Sequence, residues 1–412
     1  MRAARGEDVA KLWRPDKPDS FRRLPAMPRF SQRVSADLTP SPWAARVAAV
    51  AEIGAIRHDL TLSNPTRAQL AYPPELLRPL ADPRGLTYAA QALGSPEARA
   101  AVAALYVERG FDVTPDDVVL TASSSEAYAY LFKLFCDPQD SVLIPTPSYP
   151  LFSHLAALEG VALEAYELRY DGAWHLQPEP ICPGPRCRLI LAVSPNNPTG
   201  SSLSLSELAR LAELGLPLVS DEVFASYPLA EGGASSALEL SRAGDAAAPC
   251  VVLGGLSKEL GLPQLKLGWL LLCGAASWRA AVRQRLELMC DSFLSVNGPV
   301  QLALPELIRE AAVVRAAIQR RVKHNHTYLA QRLAGTPATL LQSCGGWYAC
   351  VQLPSTQSDE QWALELLGRG VLVQPGYFYD LPIEPCVVIS LLTPTASLNL
   401  GVEALLDCLA RL

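Results

Sequence analysis

Between residues 117 and 273, short β-rich runs alternate with stretches of helical pattern. The runs are Asp117–Ala122, Ser141–Pro145, Val161–Tyr166, Arg188–Ser194, Pro217–Asp221, Cys250–Gly255 and Gly268–Cys273. This alternation predicts an α/β fold, with a mostly parallel sheet covered by helices on both faces. Seven such strands make one large unit, and 412 residues leave room for about two or three domains. Beyond residue 300 the pattern changes. A long helical stretch, Pro299 to Ala334, precedes strands near Gly346–Leu353, Val371–Val373 and Val387–Leu391 and a final helix near Leu400–Leu412. That predicts a second, smaller α+β unit. Chain ends often lie together, so the N-terminal segment is expected to join it. The expected division is residues 1–60 as an N-terminal arm and part of the small domain, 61–298 as the large domain, and 299–412 as the small domain.

Composition narrows the function classes. Half of the chain is apolar and 18% is charged, which supports a large core and excludes a disordered or fibrous chain. Lys and Arg total 35 against 41 Asp and Glu, so the net charge of −6 lacks the basic footprint of a nucleic-acid binder. No apolar run reaches the roughly 18 residues of a membrane-spanning helix. Neither nucleic acid nor a membrane is therefore expected as a partner. The ten Cys form no C-x-x-C pair, and several, such as Cys250 and Cys273, sit in apolar runs. They read as small core residues in a reducing compartment, the cytoplasm. Only five His are present, and His324 and His326 are too close for the usual zinc spacing, so no metal site is expected. The first 35 residues lack the apolar stretch of a secretory signal and read as a mobile arm that packs on a neighbour.

In an open α/β sheet, ligands lie beyond the carboxyl ends of the strands, and here those ends carry chemistry. Ser123, Ser124 and Ser125 follow the first strand at a helix start, where free backbone amides can cradle a phosphate or the serines can simply cap the helix. Tyr149, between Pro147 and Pro150 after the second strand, can stack on a planar ligand or pack in its loop. The fourth strand leads into Ser194-Pro195-Asn196-Asn197-Pro198-Thr199-Gly200, a rigid loop that sets amides at the strand ends. Asp221 emerges from a buried strand and needs a cationic or donor partner, such as a protonated ring nitrogen. Lys258 ends another buried strand, where neutralisation as a Schiff base competes with a solvated loop position.

Taken together, the N-N-P-T-G run, D-E-V-F and the Ser257-Lys258 pair, in that order, resemble the pyridoxal-phosphate enzymes of the aspartate aminotransferase superfamily, the class I and II aminotransferases of fold type I. The resemblance runs from about Leu60 to the C-terminus. It implies pyridoxal 5'-phosphate as cofactor, held by Lys258 as a Schiff base, and ping-pong transfer of an amino group from an amine or amino acid. It further implies that Asp221 keeps the pyridine nitrogen protonated, that Asn197 donates to the phenolic oxygen and that Tyr149 stacks on the ring. Ser123, Ser124, Ser125, Ser257 and Lys266 match the phosphate cup. Tyr88 matches a tyrosine that reaches the neighbouring subunit's phosphate, which implies a homodimer with a shared active site.

Several positions depart from the family pattern. Lys266 stands where an Arg is usual and supplies charge without the bidentate fork. Phe224 replaces a tyrosine that donates to the phenolic oxygen, and Gly255 replaces a phosphate-binding serine. The largest departure is in Cys386-Val387-Val388-Ile389-Ser390, where Val388 takes the place of the arginine that grips the substrate α-carboxylate. Asn64 and Arg67, in the loop that closes over substrate in relatives, are candidate replacements, and a solvated Arg67 is the alternative. Otherwise the substrate carries no free α-carboxylate. Trp347, Tyr377 and Phe378 suggest a bulky or apolar pocket, and core packing accounts for them equally well. Elimination, replacement, decarboxylation or carbon–carbon bond formation on the same cofactor stand as alternative reactions. A non-catalytic cofactor-binding homologue is a further alternative.

Overall fold

The computed structural model describes residues 30–35, 37–230, 234–240 and 248–411. The arm expected at the N-terminus lies largely outside the described residues. The large sheet consists of β2 (Val118–Thr121), β3 (Ser141–Thr146), β4 (Ala162–Tyr170), β5 (Trp174–Leu176), β6 (Cys187–Val193), β7 (Leu218–Asp221), β8 (Cys250–Gly255) and β9 (Gly268–Cys273), preceded in the chain by β1 (His58–Asp59). Its order is β2-β9-β8-β7-β6-β3-β4-β5. The pairs from β4 through β8 are parallel, and β9 and β5 run against their neighbours.

Why this sheet is two-sided is visible in its strands. In β6 the buried Leu189 and Leu191 join one apolar cluster, while Ile190 and Ala192 join another on the opposite face. Helices Ser124–Phe135, Leu151–Glu159 and Ala276–Phe293 pack on the first side. A strand buried on both faces reads as a continuous apolar run, and β7, β8 and β9 are buried along their whole length.

The large sheet has one strand more than expected. Tyr166, Leu168 and Tyr170 continue the period-two pattern of β4 past Tyr166, and the chain then turns back through Asp171–Ala173 into β5. A three-residue edge strand carries too little pattern to stand out by sequence. The stretch expected as one helix from Pro299 to Ala334 is two helices, Gly298–Glu310 and Ala312–Leu333, parted at Ala311, whose ψ of 0° ends the first helix.

A second sheet contains β10 (Thr339–Leu340), β11 (Tyr348–Gln352), β13 (Gln374–Pro375) and β14 (Cys386–Ser390) in the order β10-β11-β14-β13, all antiparallel. β12 (Val371–Leu372) pairs instead with β1, and Leu60 then reaches the end of β14, where its carbonyl accepts from Ser390. The N-terminal segment is thus stitched into the smaller sheet.

The two sheets are joined at the loops around Gly200 and Tyr227. The Gly200 carbonyl accepts from the amides of Cys344 and Gly345, at 2.7 and 3.1 Å, and Gly346 donates to the Tyr227 carbonyl at 2.9 Å. Gly200 has φ +65°, and a Cβ there would lie 2.5 Å from the Gly345 carbonyl oxygen and 2.6 Å from the Ser343 side chain. Only glycine fits both the conformation and the space. Gly200→Ala should therefore cost about 3 kcal/mol, from the left-handed backbone and the forced contact together. Urea unfolding would measure it, and an unchanged midpoint would show that the junction yields easily.

Candidate active site

Register brings the chemistry together. Val193, Asp221 and Leu253 are neighbours across β6, β7 and β8, so the loops after these three strands open side by side. The chain order reverses between β3 and β6, which opens a crevice at their carboxyl ends. Asn196 Nδ2 bridges that crevice to the Pro147 carbonyl at 3.3 Å and so ties the Asn loop to the Tyr149 loop.

Lys258 lies in the short helical turn Leu256–Glu259 directly after β8. Its ammonium makes no hydrogen bond or ion pair among the described residues. Instead Nζ sits 4.9 Å from the Trp347 ring centre and 5.7 Å from that of Phe224. Desolvation by this cover holds the Lys258 pKa below the ordinary lysine value, and the attraction of Asp221 opposes the shift. The turn itself is fixed from behind. Tyr227 Oη donates to the Lys258 carbonyl at 2.5 Å. The adjacent buried Glu259 pairs with both Arg109 and Arg315 and accepts from Ser226.

Asp221 is buried at the end of β7, and Oδ2 accepts from Tyr128 Oη at 2.7 Å while Oδ1 accepts from the Val223 amide at 3.1 Å. Burial raises its pKa, and these two donors and Lys258 pull it back. The carboxylate thus has two neutral donors. Its neighbour Glu222 serves the fold: it accepts from Ser220, Ser236 and the Ala237 amide, and burial pushes it up to about 7.

Asn197 is also buried, and its side-chain oxygen has no hydrogen-bond partner. Buried amide oxygens are rarely left so, and this acceptor is open to a hydrogen-bond donor on a ligand. At the phosphate-cup position, Ser123 caps the helix Ser124–Phe135, where first-turn amides have no intrahelical partner. A Cβ on Gly268 would stand 3.2 Å from Ser123, which shows how closely β9 approaches that helix start. Ser257 follows β8 and the exposed Lys266 precedes β9, so both flank the same end of the sheet. An orphaned buried amide, an unpartnered amine, a buried carboxylate and an anion-binding helix start fit an aldehyde-bearing phosphorylated pyridine.

Other residues singled out by sequence lie differently. Tyr149 is 43% exposed and stands near Tyr348 and Tyr379 at the mouth of the crevice. Asn64 Oδ1 is committed to the amide and hydroxyl of Thr66, and the Arg67 side chain is exposed on the 3-10 turn Pro65–Arg67. Tyr377 is exposed and packs on Phe378, which packs in turn on Trp43, away from the Lys258 contacts. Tyr88 is 82% exposed and lines a cavity of about 660 Å³ with Ser295 and Asn297. Sequence reading passed over Tyr128, Tyr227 and Glu259. For Tyr128 a signal existed: it lies one helical turn beyond Ser124, on the face that meets the sheet.

Comparison with known proteins agrees with this geometry. Residues 64–405 match the family described as aminotransferase class I and II. A nicotianamine aminotransferase of Oryza sativa is 25% identical over 53% of this chain and 45% of its own length, so the chain matches less than half of that relative. A probable aspartate/prephenate aminotransferase of Thermus aquaticus is 29% identical over 71% of this chain and 76% of its own. Among solved structures, an alanine aminotransferase from Pyrococcus furiosus superposes with a TM-score of 0.79 at 23% identity, over 89% of this chain and 96% of that one, and so shares the fold.

The opposed effects on Lys258 can be separated. Asp221 raises the Lys258 pKa against desolvation, so Asp221→Asn should let it fall further. An amine-reactive reagent labels the neutral form. Half-labelling of Lys258, followed by peptide mass, should occur at lower pH than for surface lysines, and at lower pH still in the Asp221→Asn variant. An unshifted midpoint would show that the two charges do not sense each other.

Proposed function

Because the chain belongs to the class I and II aminotransferases, we propose that it transfers an amino group from an amine or amino acid to a carbonyl acceptor, with Lys258 as the catalytic base. The observation that carries this reading is the unpartnered, desolvated Lys258 amine set beside the buried Asp221. Members of this family use pyridoxal 5'-phosphate, which when bound supplies a carbonyl carbon that takes up amines and a cationic ring that stores electrons released at the substrate α-carbon.

Each residue then has a task. Lys258 would hold the cofactor covalently at rest, and its free Nζ would accept the substrate α-proton and return it. Its lowered pKa favours the neutral amine, the form that can accept a proton. Asp221, kept in place by Tyr128 and Val223, would pair with the pyridine nitrogen and stabilise its charge in a desolvated setting. Asn197 supplies a donor to the phenolic oxygen. Ser123, Ser124, Ser125, Ser257 and Lys266 bind the phosphate, aided by the helix start. Phe224 offers no hydroxyl and packs edge-on against Trp347 at 5.4 Å, so it shapes and dries the pocket instead.

We infer a homodimer as well. Leu86 and Tyr88 are 92% and 82% exposed beside the cavity that Ser295 lines, an apolar patch suited to a second copy. Tyr88 would then reach the partner's phosphate. The unpaired Cys residues, mostly buried, suit a reducing, cytoplasmic setting. No helix among the described residues is long and apolar enough to cross a membrane.

The absorbance of purified protein loaded with pyridoxal phosphate tests the reaction. Addition of a donor amine should convert the aldehyde form of the cofactor to its amine form, and a keto acid or aldehyde should restore it. Lys258→Ala should slow this conversion at least about 10²-fold. Product release without conversion would favour elimination or decarboxylation on the same fold. In sedimentation the protein should run as a dimer. Tyr88→Ala should weaken cofactor retention by about 10–100-fold, the loss of one hydrogen bond to a charged group. A monomer with full retention would remove the shared site.

A further inference from the structure

The inner face of the smaller sheet decides what can lie beside Lys258. Cys350 pairs in register with Val388, and Tyr348 with Ser390, so these four side chains share one face. That face looks into the site. The Tyr348 ring is 6.3 Å from Phe224, and the Cys350 thiol reaches the Pro198 carbonyl of the Asn loop at 3.6 Å. Val388, 1% exposed, stands in the middle. On its other side Val388 pairs with Gln374, whose side-chain oxygen accepts from the Tyr379 hydroxyl. Trp347 and Phe224 complete the wall around Nζ. None of these groups carries a charge.

Among the described residues, the candidate cations are paired elsewhere or exposed. Arg109 and Arg315 both hold Glu259. Arg321 donates to the carbonyls of Ala68 and Leu392. Lys266 is exposed in a left-handed turn before β9. Arg67 projects from an exposed 3-10 turn. A carboxylate brought against this wall would lose its hydration and gain no ion pair. An uncharged group of the same size would lose little.

We propose that the site takes amines whose α-carbon bears no ionised carboxylate, such as amino alcohols, amino esters or amides, with an aromatic or apolar body. This rests on the aminotransfer reading above and adds Val388 as the residue that sets the preference. The apolar body lies along Tyr348 and Trp347, and the neutral α-substituent lies against Val388.

Binding and turnover test it separately. Calorimetry on the cofactor-loaded protein compares unreactive analogues, 3-phenylpropanol and 3-phenylpropionamide against 3-phenylpropionate. The neutral analogues should bind at least about tenfold more tightly. Equal or tighter binding of the carboxylate overturns the proposal. With phenylalaninol and phenylalanine, kcat/KM for conversion of the cofactor should favour the alcohol by at least about tenfold, and the reverse order overturns it. Val388→Arg should narrow or invert both ratios. If that variant fails to fold, Val388→Gln, with a neutral donor, should narrow them less. Arg67→Ala should leave both ratios unchanged; selective loss of carboxylate binding in that variant would assign recognition to Arg67 and overturn the assignment to Val388. Should no amine convert the cofactor, the aminotransfer reading fails, while the calorimetric ratio still decides the charge preference.

Discussion

A half-buried amine and a buried carboxylate at the ends of adjacent parallel strands set the terms for the rest of this molecule. Burial works against both charges: it lowers the pKa of Lys258 and raises that of Asp221. Neither can be left to find its own place, since a drifting buried charge would draw in water or a stray partner. Hence the heavy support behind them. Tyr128 and Val223 fix the carboxylate, while Tyr227 and the ion-paired Glu259 fix the turn that carries the lysine. These supports come from a helix on one face of the sheet and from segments on the other, so the site needs the whole two-sided architecture.

The cover over that pair comes from the other sheet, through the Gly200 junction. Cys344 and Gly345 hang from the Gly200 carbonyl, and Trp347 follows two residues later over Lys258. The Asn196–Gly200 loop therefore does two things. It carries the Asn197 amide, and it sets the height of the aromatic lid. This explains why the loop is rigid and why a methyl group at position 200 has nowhere to go.

Much of this was readable from residues alone, for a physical reason. Strands buried on both faces are continuous apolar runs, and a polar residue at the end of such a run must have a use. Asp221, Asn197 and Lys258 stood out in that way, and the structure brings all three to one crevice. The supporting residues did not stand out because their roles depend on contacts distant in sequence. Tyr128 meets Asp221 across 93 positions, and Arg109 meets Glu259 across 150. An aromatic or an Arg in a helix looks the same whether it packs, pairs with solvent or braces a catalytic group. Tyr377 illustrates the converse. It lies in an aromatic cluster near the expected pocket, yet a left-handed residue at Asp380 ends its short turn and its ring packs toward Trp43 through Phe378.

The aromatic wall links reactivity to selectivity. Its apolar character lowers the pKa of Lys258, since the ammonium finds no hydrogen-bond acceptor among Trp347 and Phe224. The same character acts on the substrate. A cation placed at Val388 to hold a carboxylate would itself be buried in each turnover step without substrate, and its charge would repel a protonated Lys258. A neutral wall avoids both costs, but it then offers nothing to an ionised group. An enzyme built this way would activate its base and restrict its substrate by one property, the apolar and uncharged face along β11 and β14. The two effects should rise and fall together when that face is altered.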